Sequence, residues 1–198
     1  MALGNYHDLQ TAIVDFAPEL SVGDPITSFI ALAESDFFPQ IEHYMCERTV
    51  SLTSAGNAVT LPADFTKARV IRVDGKIAKP VSVYGATLAH GEIGYFQSGN
   101  TYAFVPNQAD PRAVELTYFA VPPALSDANL TNWVLTQFPA IYLYGSLAQG
   151  FYWRGNEAAE AQAKAKMNEA LAKLLAHSAR GTSSGNQIVE YGGNPYGD

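Results

Sequence analysis

The chain has 198 residues, a mean hydropathy of −0.03 and a net charge of −7, enough for one domain or one domain with an insertion. The acidic balance argues against a general grip on nucleic-acid phosphates. The single cysteine, Cys46, excludes an internal disulfide and a Cys-cluster metal site.

The start of the chain is polar and lacks the basic segment of a secretory signal, so the protein is expected to be made in the cytoplasm. Asn5 is placed to cap a helix over Tyr6 to Phe16, with Pro18 as its stop and Leu9, Ile13 and Phe16 at helical spacing. Gly23–Asp24–Pro25 restarts the chain: Asp24 can cap, and proline suits the first helical position. Ile26, Phe29, Ile30, Ala33, Phe37, Ile41 and Tyr44 then trace one face to about Cys46, and Pro39 is expected to kink this second helix.

At Arg48 the period changes from helical to alternating. Thr49–Leu52 and Ala58–Leu61 flank Ser54–Asn57, which predicts a hairpin. Val70–Val73, Asp74–Gly75 and Lys76–Ile77 predict a tight hairpin whose turn favours positive φ. A third is expected at Ser98–Gly99–Asn100, between Tyr95–Phe96 and Tyr102–Val105. Ala113 to Phe119 reads as the last strand, with Val114, Leu116 and Tyr118 on one face.

From Ala128 to Trp153 the chain runs 26 residues without a charge. A helix that is apolar on several sides must be covered on several sides, by lipid, by a large core or by other subunits. Thr136, Gln137, Ser146 and Gln149 interrupt it and no basic cluster flanks it, which speaks against a membrane span. The expectation is a helix over about 131–153, buried among helices of its own chain or of neighbouring copies. An alanine-rich helix from Glu157 to His177 follows and pairs with it as a hairpin.

Residues 178–198 hold five glycines, too many for a self-sufficient core. Ile188, Val189, Tyr191, Pro195 and Tyr196 are small apolar anchors between them, suited to docking on a partner. The expected fold is therefore α+β: a bundle of about four helices (1–47 and 120–177), an inserted antiparallel β unit (48–119) and an extended docking tail (178–198).

Charge is split along the chain. Residues 1–47 hold eight acids and no Lys or Arg, whereas 48–79 hold six bases against two acids. One reading is two solvated surfaces; the other is head-to-tail attraction between copies, with Arg69 and Arg72 facing Asp36 and Glu42. No nucleotide-binding, metalloprotease, nucleophile-elbow or calcium-loop motif is present. His43 and Cys46 share a helical face, but no third group is evident to orient them as a nucleophilic pair. No enzyme activity, cofactor or metal is expected.

Three stretches carry a resemblance: Asp24–Glu34, ending in Leu32–Ala33–Glu34; Leu61–Pro62–Ala63–Asp64–Phe65 with the strand Arg69–Val73; and Leu116–Phe119 running through Pro122, Leu125–Ser126, Thr131–Asn132–Trp133 and Pro139–Leu147. Together they resemble the head-to-tail adaptor (connector) proteins of tailed bacteriophages, over about residues 3–177. The family pattern carries a basic residue shortly after Leu-Ala-Glu, where this chain has Ser35–Asp36–Phe37–Phe38–Pro39. The resemblance implies a structural virion protein at the head–tail junction, one of twelve copies in a ring beneath the portal protein. It implies a C-terminal segment that reaches the portal through Ile188, Val189, Tyr191, Pro195 and Tyr196. Tail or nozzle proteins would dock on the opposite face, and DNA would pass through without sequence-specific binding. The alternative is a non-viral soluble binding module that captures a partner through its tyrosine-rich surface and tail.

Overall fold

The structure, a computed structural model, describes residues 3–21, 23–85, 87–107 and 111–183, with side chains as far as Ala179. Helix α1 (Tyr6–Phe16) starts where the Asn5 side-chain oxygen accepts the backbone N–H groups of His7 and Asp8, at 2.9 and 3.0 Å. It buries Tyr6, Leu9, Ala12 and Ile13. Helix α2 (Ile26–Phe37) buries Ile26, Phe29, Ile30, Ala33, Glu34 and Phe37. Two expectations for it need correction. Pro25 occupies the cap position with no side-chain bond, because the Asp24 carboxylate is taken by the Ser21 N–H and by Arg154. Pro39 ends the helix instead of kinking it: with no N–H to give, the chain tightens into 3₁₀ turns at Phe38–Gln40 and Tyr44–Cys46.

Seven strands follow: β1 (Glu47–Thr53), β2 (Ala58–Thr60), β3 (Phe65–Val73), β4 (Lys76–Pro80), β5 (Ile93–Ser98), β6 (Thr101–Val105) and β7 (Ala113–Ala120). They form one sheet in the order β1-β7-β3-β4-β5-β6-β2. The β3–β4 hairpin turns at Asp74 and Gly75, with φ of 52° and 78°, as its sequence predicts. The β5–β6 hairpin closes at Ser98↔Thr101. The hairpin expected at Ser54–Asn57 does not form a ladder. β1 pairs along its whole length with β7, from Glu47↔Phe119 to Thr53↔Ala113, while the three-residue β2 pairs with β6. β7 simply offers β1 the longer partner.

β4 and β5 run parallel, Ala78 opposite Ile93, joined by a crossover through residues 81–92. That pairing fuses the hairpins into one sheet around its own core of Val59, Ile71, Val73, Ile93, Phe104, Val114, Leu116 and Tyr118. The architecture is thus corrected: among the described residues it is a mixed α+β fold of five helices and a seven-stranded sheet, not a helical bundle of about four helices with an inserted antiparallel β unit.

The uncharged stretch forms two helices, α3 (Trp133–Gln137) and α4 (Pro139–Arg154), broken at Phe138 because Pro139 can only begin a helix. Helix α5 (Glu157–Ser183) returns antiparallel along α4. Ile141, Tyr142, Leu143, Gly145, Ser146, Leu147, Ala148 and Gly150 of α4 are buried, packed among α1, α2, α3 and α5. The chain's own helices therefore keep most of α4 dry, where shielding by neighbouring copies was an open expectation; Tyr152 and Trp153 at its end remain exposed. Gly150 permits the closest approach, since a Cβ there would lie 2.6 Å from Leu20 Cδ1. No helix among the described residues is long and apolar enough to cross a membrane.

A buried polar network ties the helices together. Glu34 Oε1 on α2 accepts the Leu125 N–H and the Tyr142 hydroxyl, each at 2.8 Å. The Asn132 amide donates to the Tyr142 oxygen at 2.6 Å and to the Pro123 carbonyl at 2.8 Å, while its own oxygen caps α3 through the Leu135 N–H. Burial raises the Glu34 carboxyl above the usual glutamate range, and the two donated hydrogen bonds pull the other way. The folded state therefore holds this proton more tightly than the unfolded chain. Its contribution to stability is full below the ordinary glutamate pKa and is lost as pH rises through the raised value.

Glu34→Ala is expected to cost about 2–4 kcal/mol, because two buried donors lose their acceptor. Glu34→Gln keeps an acceptor and removes the charge. Its stability relative to wild type should rise with pH between about 4 and 8, as read by denaturant unfolding at each pH.

Candidate functional site

The far end of α5 is fixed to the root of the sheet. His43, fully buried, lies between α2 and β1 with its Nε2 3.1 Å from His177 Nδ1 on α5. The Met45 N–H donates to His43 Nδ1, so the neutral ring carries its proton on Nε2, pointing at His177. The two imidazoles are parallel within 2°, and His43 also stacks on Trp133 with ring centroids 4.8 Å apart. One residue further along α5, the Ser178 hydroxyl accepts the Tyr44 N–H at 3.3 Å. Burial lowers the His43 pKa, and the nearby His177 adds to the effect.

Both nitrogens of His43 are thus engaged away from Cys46, so the helical spacing of those two residues does not make a nucleophilic pair. Burial pushes the Cys46 thiol up to about 11, against hydrogen bonds that pull it down. It is a buried, protonated thiol at neutral pH.

Beside this junction runs an open trench of about 670 Å³, lined by Gln40, Glu42, Lys67, Ala68, Arg69, Phe119, Leu175, Ser178 and Ala179. Its polar rim is self-paired: Lys67 reaches Glu42 at 2.8 Å and Arg69 reaches Glu47. A second groove of about 420 Å³ lies between α1 and the start of α2, lined by His7, Gln10, Asp15 and Asp24 among others. That groove also holds Thr11 and Thr27, but the Thr11 hydroxyl donates to the His7 carbonyl at 3.1 Å and not to the His7 ring. Among the described residues, no three His, Cys, Asp or Glu side chains come together as metal ligands would.

The four charged residues singled out from the sequence are all exposed, and each has a partner in its own chain: Arg69 with Glu47, Arg72 with Glu115, Glu42 with Lys67, and Asp36 with the Gln149 amide. Arg69 and Glu42 share the trench; Arg72 and Asp36 lie elsewhere. Ile188, Val189, Tyr191, Pro195 and Tyr196 lie outside the described residues.

Sequence reading missed the His43–His177 contact, which joins residues 134 positions apart. It also missed what its own motifs do. Leu32–Ala33–Glu34, Thr131–Asn132–Trp133 and the segment around Tyr142 meet in the buried network. Asp64 of Leu61–Phe65 accepts the hydroxyl of Tyr118 in β7 at 2.9 Å and the Arg48 guanidinium at 2.7 Å. The resemblance is carried by residues that fasten one element to another, not by a reaction centre.

The stretches that carry the resemblance act here as structural fasteners between elements. The chain belongs to the SU10 adaptor protein family, whose model matches residues 4–189. This is a family of bacteriophage adaptors, and membership sets the non-viral binding module aside. No curated protein matches the chain.

The depressed His43 pKa gives stability that is present above the ordinary histidine pKa and lost as pH falls through the lower folded value. Wild type should therefore lose more stability between pH 7.5 and 5 than His43→Phe, which keeps an aromatic ring beside Trp133 but cannot titrate. Unfolding midpoints of both proteins at the two pH values check this.

Proposed function

We propose that the chain is a non-catalytic ring subunit that joins the capsid portal to the tail at the head–tail junction and continues the DNA channel. Twelve copies would form the ring. The observation that carries this reading is the anchored end of α5. A helix of 27 residues is pinned at its last turns to the root of β1, so whatever follows departs from a fixed point. A docking segment gains affinity when its base is held in place, because less freedom is lost on binding. Ile188, Val189, Tyr191, Pro195 and Tyr196 would then supply apolar anchors to the portal protein, and tail or nozzle proteins would bind the opposite end.

Lateral contacts between copies would draw on Arg69, Arg72, Asp36 and Glu42. Exposed ion pairs are worth about 0–1 kcal/mol each, so such side chains can change partners at small cost when a neighbouring copy arrives. The net charge of −7 supports passage of DNA without retention.

Removing 185–198 tests the attachment half of this reading. The two cores of the described residues are complete without that segment, so the shortened protein should unfold at the same denaturant concentration as the full chain. It should no longer co-sediment with portal rings. Portal attachment retained by the shortened chain would overturn the assignment of these anchors.

A further inference from the structure

In-chain ion pairing leaves an uneven remainder. On the sheet, Arg48, Lys67, Arg69, Arg72, Lys79 and Arg112 each reach a carboxylate, and among the described residues Lys76 has none within ion-pair distance. On the helical side, Asp15, Glu19 and Asp36 likewise have no cation within that distance, and Lys166, over the Tyr144 ring, is the cation there without a carboxylate among the described residues. Two exposed apolar patches accompany these leftover charges.

The first patch projects. Ile77 lies next to Lys76 on β4, and the crossover that follows carries Val83 and Tyr84 at a tight turn closed by a Ser82↔Gly85 bridge. Tyr84 has a relative exposure of 101%, so it touches almost nothing of its own fold. Residues 75–91 contain Lys76 and Lys79 and no carboxylate.

The second patch lies on the helices. α2 and α4 lie side by side, with Phe29 tilted at 50° to Trp153, 6.3 Å between centroids, and Gln149 donating to Asp36 at 2.7 Å. Leu32 falls between those two contacts by helical spacing. Leu32, Tyr152 and Trp153 are all exposed, and Asp36 borders them.

A single chain carries each patch once, on different units of the fold. A contact between unlike patches of identical subunits is heterologous, the kind that closes into a ring. We infer that the Val83–Tyr84 projection of one copy seats on the Leu32–Tyr152–Trp153 face of the next, with Lys76 drawn toward Asp36. This rests on the ring reading and names its lateral contact.

Area decides how strong the contact is. A buried aromatic side chain contributes about 150–250 Å². Tyr84 with its neighbours therefore falls well short of the ~800 Å² per partner of a stable pair. Two free copies stay apart, and the contact persists only where the portal gathers all the copies and each is held on both sides.

Virions assembled with Tyr84→p-benzoylphenylalanine, which keeps an aromatic ring, and then irradiated provide the test. The expected product is a dimer-sized band whose tryptic digest links position 84 to residues 1–48 or 113–154, the peptides that hold Leu32 and Trp153. Virions that contain the protein as a ring but cross-link position 84 only to portal, to tail protein or to nothing overturn the inference. Virions that contain no ring of this chain overturn the ring reading itself. If the photoreactive residue blocks assembly, charge reversal decides: Lys76→Glu should lower particle yield about tenfold, and adding Asp36→Lys should restore it. Failure of the second change to restore yield overturns the contact.

Discussion

The structure depends on one carboxylate that has no water to face. Glu34 sits on α2 among apolar side chains, and its Oε1 is the acceptor that the Leu125 N–H and the Tyr142 hydroxyl share. Leu125 belongs to the segment leaving β7, and Tyr142 to α4, so one atom fixes the exit from the sheet, the second helix and the most buried helix. Asn132 extends the link by bonding Tyr142, capping α3 and holding Pro123. A charge buried this way is a poor source of net stability, but breaking any of its bonds leaves a costly orphan. The network therefore specifies geometry more than it adds strength.

Around that junction stand two hydrophobic cores, one among the helices and one inside the sheet. They meet where β1 and β7 run back into the helical segments, with Phe119 and Val121 packed on the helical core. The His43–His177 contact is the second tie across this seam. Two cores joined by polar fasteners give each unit of the fold its own rigidity.

Surface charge in this protein is mostly settled inside the chain. Six bases of the sheet unit find carboxylates, one of them, Glu42, on the segment that precedes β1. What remains among the described residues is Lys76 on the sheet and, on the helical side, Lys166 with several carboxylates. The split that the sequence displays is thus real in sign but much weaker in the folded molecule, because screened surface pairs have already absorbed it.

Local rules read much of the fold. The Asn5 cap, the limits of α1, the Asp74–Gly75 turn and the alternating buried face of β7 all follow from neighbours within a few residues, and the structure has them where the sequence places them. Pro39 and Pro139 were legible as breakers, though not how completely each would end a helix. Pairing choice was not legible. Whether β1 joins β2 or β7, and whether β4 meets β5 in parallel, is settled by which long-range ladder is longest and which face reaches a core. The candidate site followed the same division. The split of charge along the chain could be marked from composition, whereas the His43–His177 tie and the role of Glu34 lie between residues more than ninety positions apart. By itself the sequence determined where elements begin and end and which faces are apolar, because those depend on short-range sterics and periodicity. Only the tertiary structure decided that most of α4 is dry under its own chain, that the sheet is one body, and that an acid in a helix is a buried fastener, because those outcomes depend on what packs against what.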